Sequence, residues 1–396
     1  MRCPVPQAPS VFDIKIDKKP PYKLLALDGG GIRGLITIEV LAAIEALLKQ
    51  SHRLGETLVL ADYFDYVAGT STGAVIATCV ALGMRVDEIR AMYVESAELM
   101  FDKASLLDRL RYKYEDEPLA RKLRTVLALQ TGEAEPTLGS SGLKTLLMMV
   151  LRNASTDSPW PLSNNPRATY NCPLDRPGCN LHFPLWQVVR GSTAAPTYFP
   201  PEQILVGERQ FVFVDGGITP YNNPAFQLFL MATAEPYQLC WKTKRPEDML
   251  IVSIGTGTSP QANGRLDPDD MNLLFNATTL PSALMFAALN EQDLLCRMFG
   301  KCLTGDILDR EVDTMVFGSG AHGSGGPVDP KLFTYLRYNV DLTQSGLSAL
   351  GLGDIDPRDV QKLDSVEHKD ALQEIGARLA ARCVKPAHFD GFIEGR

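Results

Sequence analysis

The sequence predicts an α/β fold: a mainly parallel central sheet flanked by helices. Three observations predict it. Short apolar runs (Tyr22–Leu27, Phe211–Val214, Met249–Ile254) each deliver a glycine-rich turn. Helical periodicities separate and follow these runs, as at Leu35–Leu48 and Val86–Met100. The alternation of the two patterns runs through most of the chain, which is the mark of crossover-connected strands. Sites in such sheets gather at the carboxyl ends of strands, so the turns there hold the candidate chemistry.

The chain has 396 residues, enough for one large α/β domain or two modest ones. Residues 1–20, rich in Pro and Lys, read as a tail or a loosely docked arm. Residues 21–390 read as one domain with a helical part from about residue 345. At the far end Ile393-Glu394-Gly395-Arg396 is the recognition sequence of a tag-removing protease, so 391–396 is set aside as a scar. A net charge of −8 argues against nucleic acid and against whole-surface attraction to anionic lipid. No apolar run reaches a membrane span and no leader pattern precedes Tyr22, so a cytoplasmic setting is expected, with peripheral membrane association open to it. Of the eight cysteines, Cys79 and Cys296 sit in apolar helices as small hydrophobes. Cys172 and Cys179 bracket a loop and could pair or bind metal, but their spacing fits no zinc pattern and free thiols are expected. No metal and no cofactor is expected.

The strand Tyr22–Leu27 feeds Asp28-Gly29-Gly30-Gly31-Ile32-Arg33-Gly34, and a helix follows. Backbone amides of such a loop, set at a helix N-terminus, stabilise an anion. One reading is a dinucleotide fingerprint, Gly29-x-Gly31-x-x-Gly34, which wants an acidic residue about 20 positions on. That place holds Gln50, Ser51 and His52, with no strand beside them. The other reading is an oxyanion hole formed by the amides of Gly29, Gly30 and Gly31.

Gly69-Thr70-Ser71-Thr72-Gly73 follows the short strand Asp65–Ala68 and opens an apolar helix. This Gly-x-Ser-x-Gly pattern is that of a nucleophile elbow, a strained turn that thrusts a hydroxyl beyond the sheet. Leu106–Gln130 carries Arg109, Arg111, Lys113, Arg121, Lys122 and Arg124 among leucines. Its interleaved acidic residues favour surface pairing over a membrane-facing basic patch. Asn153–Phe183 reads as a long polar loop, functional or mobile, and Leu185–Pro200 as a helix closing on small residues and proline. Phe211–Val214 delivers Asp215-Gly216-Gly217, and Asn222-Asn223-Pro224 opens a further helix. The apolar, Met-bearing stretch Asn272–Leu289 reads equally as a lid or acyl-chain groove and as a core helix.

A serine nucleophile needs a base. The chain offers His52, His182, His322, His368 and His388, of which only His322 follows the acid in a glycine-rich loop. A Ser71–Asp215–His322 triad is therefore one arrangement. The other is a dyad in which the Asp215 carboxylate takes the Ser71 proton directly, its basicity raised by burial.

The blocks Asp28–Gly34, Gly69–Gly73, Ala194-Ala-Pro-Thr-Tyr-Phe199, Asp215–Gly217 and Ser253-Ile-Gly-Thr-Gly257 resemble, in order and spacing, those of the patatin-like phospholipases. Tyr335-Leu-Arg-Tyr-Asn-Val-Asp-Leu342 and the helical tail to about Val384 are similar to the plant-patatin branch. The resemblance implies a three-layer fold over residues 21–390 and a Ser71–Asp215 dyad. It also implies an oxyanion hole at Gly29, Gly30 and Gly31, with Arg33 steadying that loop or a lipid head group. Gly34, Gly69, Gly73, Gly216 and Gly217 are carried over as motif positions. The implied activity is calcium-independent hydrolysis of acyl esters in phospholipids or galactolipids at a transient membrane surface. The Asn153–Phe183 and Leu273–Leu303 segments depart from the family pattern. Two rivals stand beside this reading: a Rossmann-type dehydrogenase, and a catalytically silent lipid-binding signalling module of the same fold.

Overall fold

The computed structural model describes residues 15–100, 117–171, 174–259, 273–306, 308 and 327–393. The first strand, β1 (Tyr22–Leu27), leads into helix α1 (Gly34–Ser51), and β2 (Tyr66–Thr70) into α2 (Thr72–Ala81). Helices α3 (Val86–Met100) and α4 (Glu117–Thr131) precede the hairpin β3 (Leu146–Asn153) and β4 (Ser158–Ser163). Then come α5 (Leu185–Thr193), β5 (Glu202–Val206), β6 (Arg209–Asp215), α6 (Ala225–Thr233) and β7 (Met249–Ile254). Helix α7 (Leu273–Phe299), β8 (Gly300–Thr304), β9 (Phe333–Tyr338) and α8 (Lys369–Cys383) complete the main elements.

All these strands join one sheet, in the order β5-β6-β3-β2-β1-β7-β9-β8 with β4 paired to β3. From β3 to β8 every pairing is parallel; β4, β5 and β6 add an antiparallel margin. The central strands are buried along both faces, as expected for a sheet covered by helices on each side. Alternate residues divide between two cores. Leu25, Leu27, Val67, Leu147 and Met149 pack with α1 to α5 and α8; Leu24, Ala26, Tyr66, Leu146 and Met148 pack with α6 and Cys296 of α7. The expected α/β fold with its flanking helices is thus present as three layers.

Two expectations are revised. Asn153–Phe183 is not a long unstructured loop: Ser158–Ser163 pairs antiparallel with β3. Pro159 and Pro161 masked this strand in the sequence, and an edge position tolerates them because one side of the strand needs no amide donors. Beyond it, Asn164 Oδ1 accepts the Leu147 amide at 2.7 Å, and Asn171 donates to the Ser163 and Asn165 carbonyls at 2.7 and 2.8 Å. Residues 15–18 are not loose. Lys15 and Ile16 are buried, Lys15 donates to the Ala61 and Phe64 carbonyls, and Lys18 pairs with Asp65 at 2.8 Å.

The mixed charge of the Leu106–Gln130 stretch behaves as surface pairing where it is described. Lys122 binds Glu95 at 2.7 Å, and Arg124 stacks 3.8 Å over the Trp186 ring. Arg109, Arg111 and Lys113 lie outside the described residues, as do Cys172 and residues 394–396. Cys79, Cys179 and Cys296 are free and buried.

Candidate active site

Strand register brings the two key residues together. On one edge of β3, β2 pairs as far as Thr70↔Val150; β6 arrives from the opposite direction and pairs from Leu151↔Asp215 onward. Because β4 occupies the other edge of β3, β2 and β6 must share this one and meet end to end. The residue after Thr70 is Ser71, so the serine and the aspartate face each other across that junction. The sequence placed Asp215 among the ends of parallel strands; it lies instead at the end of an antiparallel strand aimed at the elbow.

Ser71 Oγ donates to Asp215 Oδ2 at 2.6 Å. The serine backbone has φ 55° and ψ −126°, a conformation that costs on the order of 1–3 kcal/mol for a residue with a Cβ. Close packing enforces it. A Cβ on Gly69 would fall 2.1 Å from the Gly73 carbonyl oxygen, and one on Gly73 would fall 2.3 Å from the Leu27 carbonyl oxygen. The Ser71 amide donates to Ser192 Oγ at 3.0 Å, and Ser192 donates to the Val150 carbonyl at 2.6 Å. Ser192 therefore ties the elbow to α5 and β3, a role the sequence did not reveal because a serine at a helix end carries no pattern.

Asp215 is 4% exposed, and its second carboxylate oxygen accepts the Gly217 amide at 2.6 Å. Burial pushes this carboxyl up to about 6, while the Ser71 hydroxyl, the Gly217 amide and the charge of Arg190 pull the other way. Arg190 is fully buried and donates to the Pro200 carbonyl at 3.0 Å.

The glycine loop borders the same space. Gly29 donates to the Asn222 carbonyl at 3.3 Å and Gly30 to Thr72 Oγ1 at 3.2 Å. The Gly29 carbonyl accepts from Thr256 Oγ1 at 2.9 Å, and the Gly31 carbonyl from Tyr93 Oη at 2.7 Å. Arg33 is half-buried and donates from Nε to the Gly30 carbonyl at 3.3 Å; burial lowers its guanidinium to about 10, so it stays charged at neutral pH. A pocket of 120 Å³ opens between these groups, lined by Ser71, Asp215 and Gly29–Gly31 on one side. Tyr198, Phe199, Ile218 and Met285 line the apolar side. Gly34, Gly69, Gly73 and Gly216 lie behind this lining, and Gly217 lies within it. His322 lies outside the described residues. Among the described residues no group of three or more His, Cys, Asp or Glu is arranged to hold a metal ion.

A family profile described as Patatin-like phospholipase matches residues 25–229, which span the glycine loop, the elbow and Asp215. The chain belongs to the patatin-like phospholipase family. It is 30% identical over 247 residues to a cGAMP-activated phospholipase of Escherichia coli, covering 62% of this chain and 64% of that protein. It is 26% identical over 257 residues to Patatin-17 of Solanum cardiophyllum, covering 60% of this chain and 61% of that protein. Similarity to the 85/88 kDa calcium-independent phospholipase A2 of Rattus norvegicus is 30% over 62% of this chain but only 28% of the rat protein. The chain therefore spans less than two thirds of these relatives. Among solved structures, human GIVD cytosolic phospholipase A2 aligns over 95% of this chain and 59% of its own, with a TM-score of 0.43 and 12% identity.

Proposed function

We propose that this patatin-like chain is a calcium-independent lipid acyl hydrolase that works through a Ser71–Asp215 dyad. The observation that carries the reading is the 2.6 Å contact between Ser71 Oγ and Asp215 Oδ2, made by a strained serine at the floor of an apolar pocket. Asp215 accepts the hydroxyl proton as Ser71 Oγ attacks the ester carbonyl carbon. The carbonyl oxygen becomes an oxyanion held by amides of Gly29, Gly30 and Gly31, where the long bonds of Gly29 and Gly30 are readily exchanged for a charged acceptor. The N-terminus of α2 adds favourable potential at the same place. Collapse of the tetrahedral intermediate expels the alcohol, protonated by Asp215, and leaves an acyl-Ser71 ester. Water, deprotonated by Asp215, then attacks this ester; the serine regains the proton and the fatty acid leaves.

The substrate class is acyl glycerolipid, phospholipid or galactolipid, taken from a membrane surface. Support comes from the pocket mouth, where Ile218 is 41% exposed and Met285 of α7 reaches the lining. On the same helix Leu284 is 69% and Phe286 36% exposed. No charged residue occurs between Asp270 and Glu291 in the sequence, an unusual composition for a helix face in water. Arg33 lines the same pocket and suits a head-group phosphate as well as loop support.

The test is fatty-acid release from phosphatidylcholine vesicles and from a soluble short-chain ester in EDTA, with and without cGAMP. Ser71→Ala and Asp215→Ala are expected to abolish release from both substrates, and His322→Ala to leave it intact. Loss with His322→Ala would replace the dyad by a triad, and a wild type silent in every arm would support a lipid-binding module.

A further inference from the structure

The Tyr335–Leu342 block has no role in the chemistry above, yet it carries a buried cation that reaches the catalytic loops. Arg337 lies on β9, two strands from β1, and is 2% exposed. Its guanidinium forks onto Asp28, the residue immediately before Gly29: Nη1 meets Oδ1 at 2.9 Å and Nη2 meets Oδ2 at 2.5 Å. Nη1 also donates to Ser253 Oγ at 2.7 Å, and Ser253 Oγ donates to Asn223 Oδ1 at 3.2 Å. Asn223 is fully buried and fixes the start of α6 by accepting the Ala225 amide at 3.1 Å. Its neighbour Asn222 accepts the Gly29 amide through its own carbonyl. The Asn222 side-chain oxygen fills the space beside both loops: a Cβ on Gly29 would meet it at 2.5 Å and one on Gly217 at 3.1 Å. A single polar chain therefore runs from Asp28 through Arg337 and Ser253 to Asn223 and Asn222. It touches the oxyanion loop at both ends and the base-bearing loop at one.

We propose that Arg337 is a positioning residue that sets the Gly29–Gly31 amides against the Ser71–Asp215 pair. This rests on the hydrolase reading. Geometry is what the fork supplies. Two parallel charge-assisted bonds fix the direction in which the chain leaves β1, and the third holds Ser253, whose hydroxyl in turn holds Asn223. A buried ion pair is weak as a source of stability, since apolar replacements of similar size often serve as well, so a positional role accounts better for one buried beside a glycine loop. A lysine keeps the charge and loses the fork, which separates position from charge.

The experiment compares wild type with Arg337→Lys, Ser253→Ala and the paired neutral variant Asp28→Asn/Arg337→Gln on the soluble short-chain ester. A fluorophosphonate probe reads acylation chemistry, because its tetrahedral adduct on Ser71 uses the same amides. Circular dichroism and Tm report folding. For folded Arg337→Lys, kcat is expected to fall at least tenfold with KM within about twofold, and the probe rate to fall in parallel. The pH midpoint of the acid limb is expected to stay in place, because Asp215 keeps its surroundings. Ser253→Ala is expected to fall in the same direction by less. Unchanged kcat and probe rate in folded Arg337→Lys would overturn the proposal, as would a shifted acid limb or a loss matching only the unfolded fraction. If Arg337→Lys does not fold, Ser253→Ala decides by the same criteria. A wild type that neither hydrolyses ester nor takes the probe would fell the hydrolase reading itself, a result told apart because the failure precedes any substitution.

Discussion

Asp215 holds the conflict on which the site turns. The carboxylate that the proposed dyad asks to accept a proton is kept out of water, and burial raises it to about 6. Hydrolysis should therefore increase with pH through an acid limb centred near 6, measured as kcat/KM on the soluble ester. The same shift acts on stability. A carboxyl raised in the folded state stabilises that state most below its unfolded value of about 4, and the benefit is lost as pH rises through 6. Replacing it by Asn should accordingly raise stability at pH 8 by up to about 3 kcal/mol, the worth of roughly two units, with the gain shrinking between pH 6 and 4. Denaturant midpoints of wild type and Asp215→Asn across that range check the sign; a variant less stable at pH 8 would contradict it. Ser71, Asp215 and the glycine loop were all legible in the sequence because each sits in a short motif with a mechanical reason. Ser192, Asn222 and Arg337 were not. A hydroxyl that holds an amide, an amide oxygen wedged beside two glycines and a buried guanidinium become visible only when distant segments meet.

At the scale of elements, α7 is where the sequence left two readings open. Its C-terminal part is a core helix: Gln292, Asp293, Cys296 and Arg297 are buried, with Arg297 paired to Asp293 at 2.9 Å. From Ala283 to Leu289 the same helix exposes apolar side chains beside the pocket. The core turns lie beyond Leu289, and the described turns of the Asn272–Leu289 stretch are largely exposed rather than core. Leu284→Glu/Phe286→Glu should reduce release from vesicles by tenfold or more, since a fully buried Leu or Phe is worth roughly 1.5–3 kcal/mol. Turnover of the soluble ester should change less than threefold; equal losses on both substrates would assign these side chains to the pocket instead. The β4 strand gives the contrary lesson about legibility. Its Ser-Pro-Trp-Pro-Leu-Ser sequence violates strand preferences, and only its edge position makes the violation harmless.

For the whole molecule, β1, β2 and β7 were readable from their apolar runs, β1 and β7 with the predicted bounds, whereas β3 and β9 were not read as strands. Of the antiparallel margin only β6 was readable, over Phe211–Val214; β4 hid behind its prolines, and β5 is half exposed and mixes charge with apolar residues. That margin nonetheless carries Asp215, the base of the proposed dyad. Ser71 and Asp215 sit at the tips of two strands that converge on one edge of β3, separated by the single step from Val150 to Leu151. Neither is borne on a lid or on a hinged lobe. Their spacing is fixed by the hydrogen-bonded ladders that β2 and β6 make with the buried strand β3, and buried strand pairings open late. Heat should therefore offer no window in which the molecule is intact but idle: residual activity on the soluble ester and ellipticity at 222 nm should decay along one curve. Inactivation several degrees ahead of the melt would mean that something more labile than the sheet sets the catalytic distance.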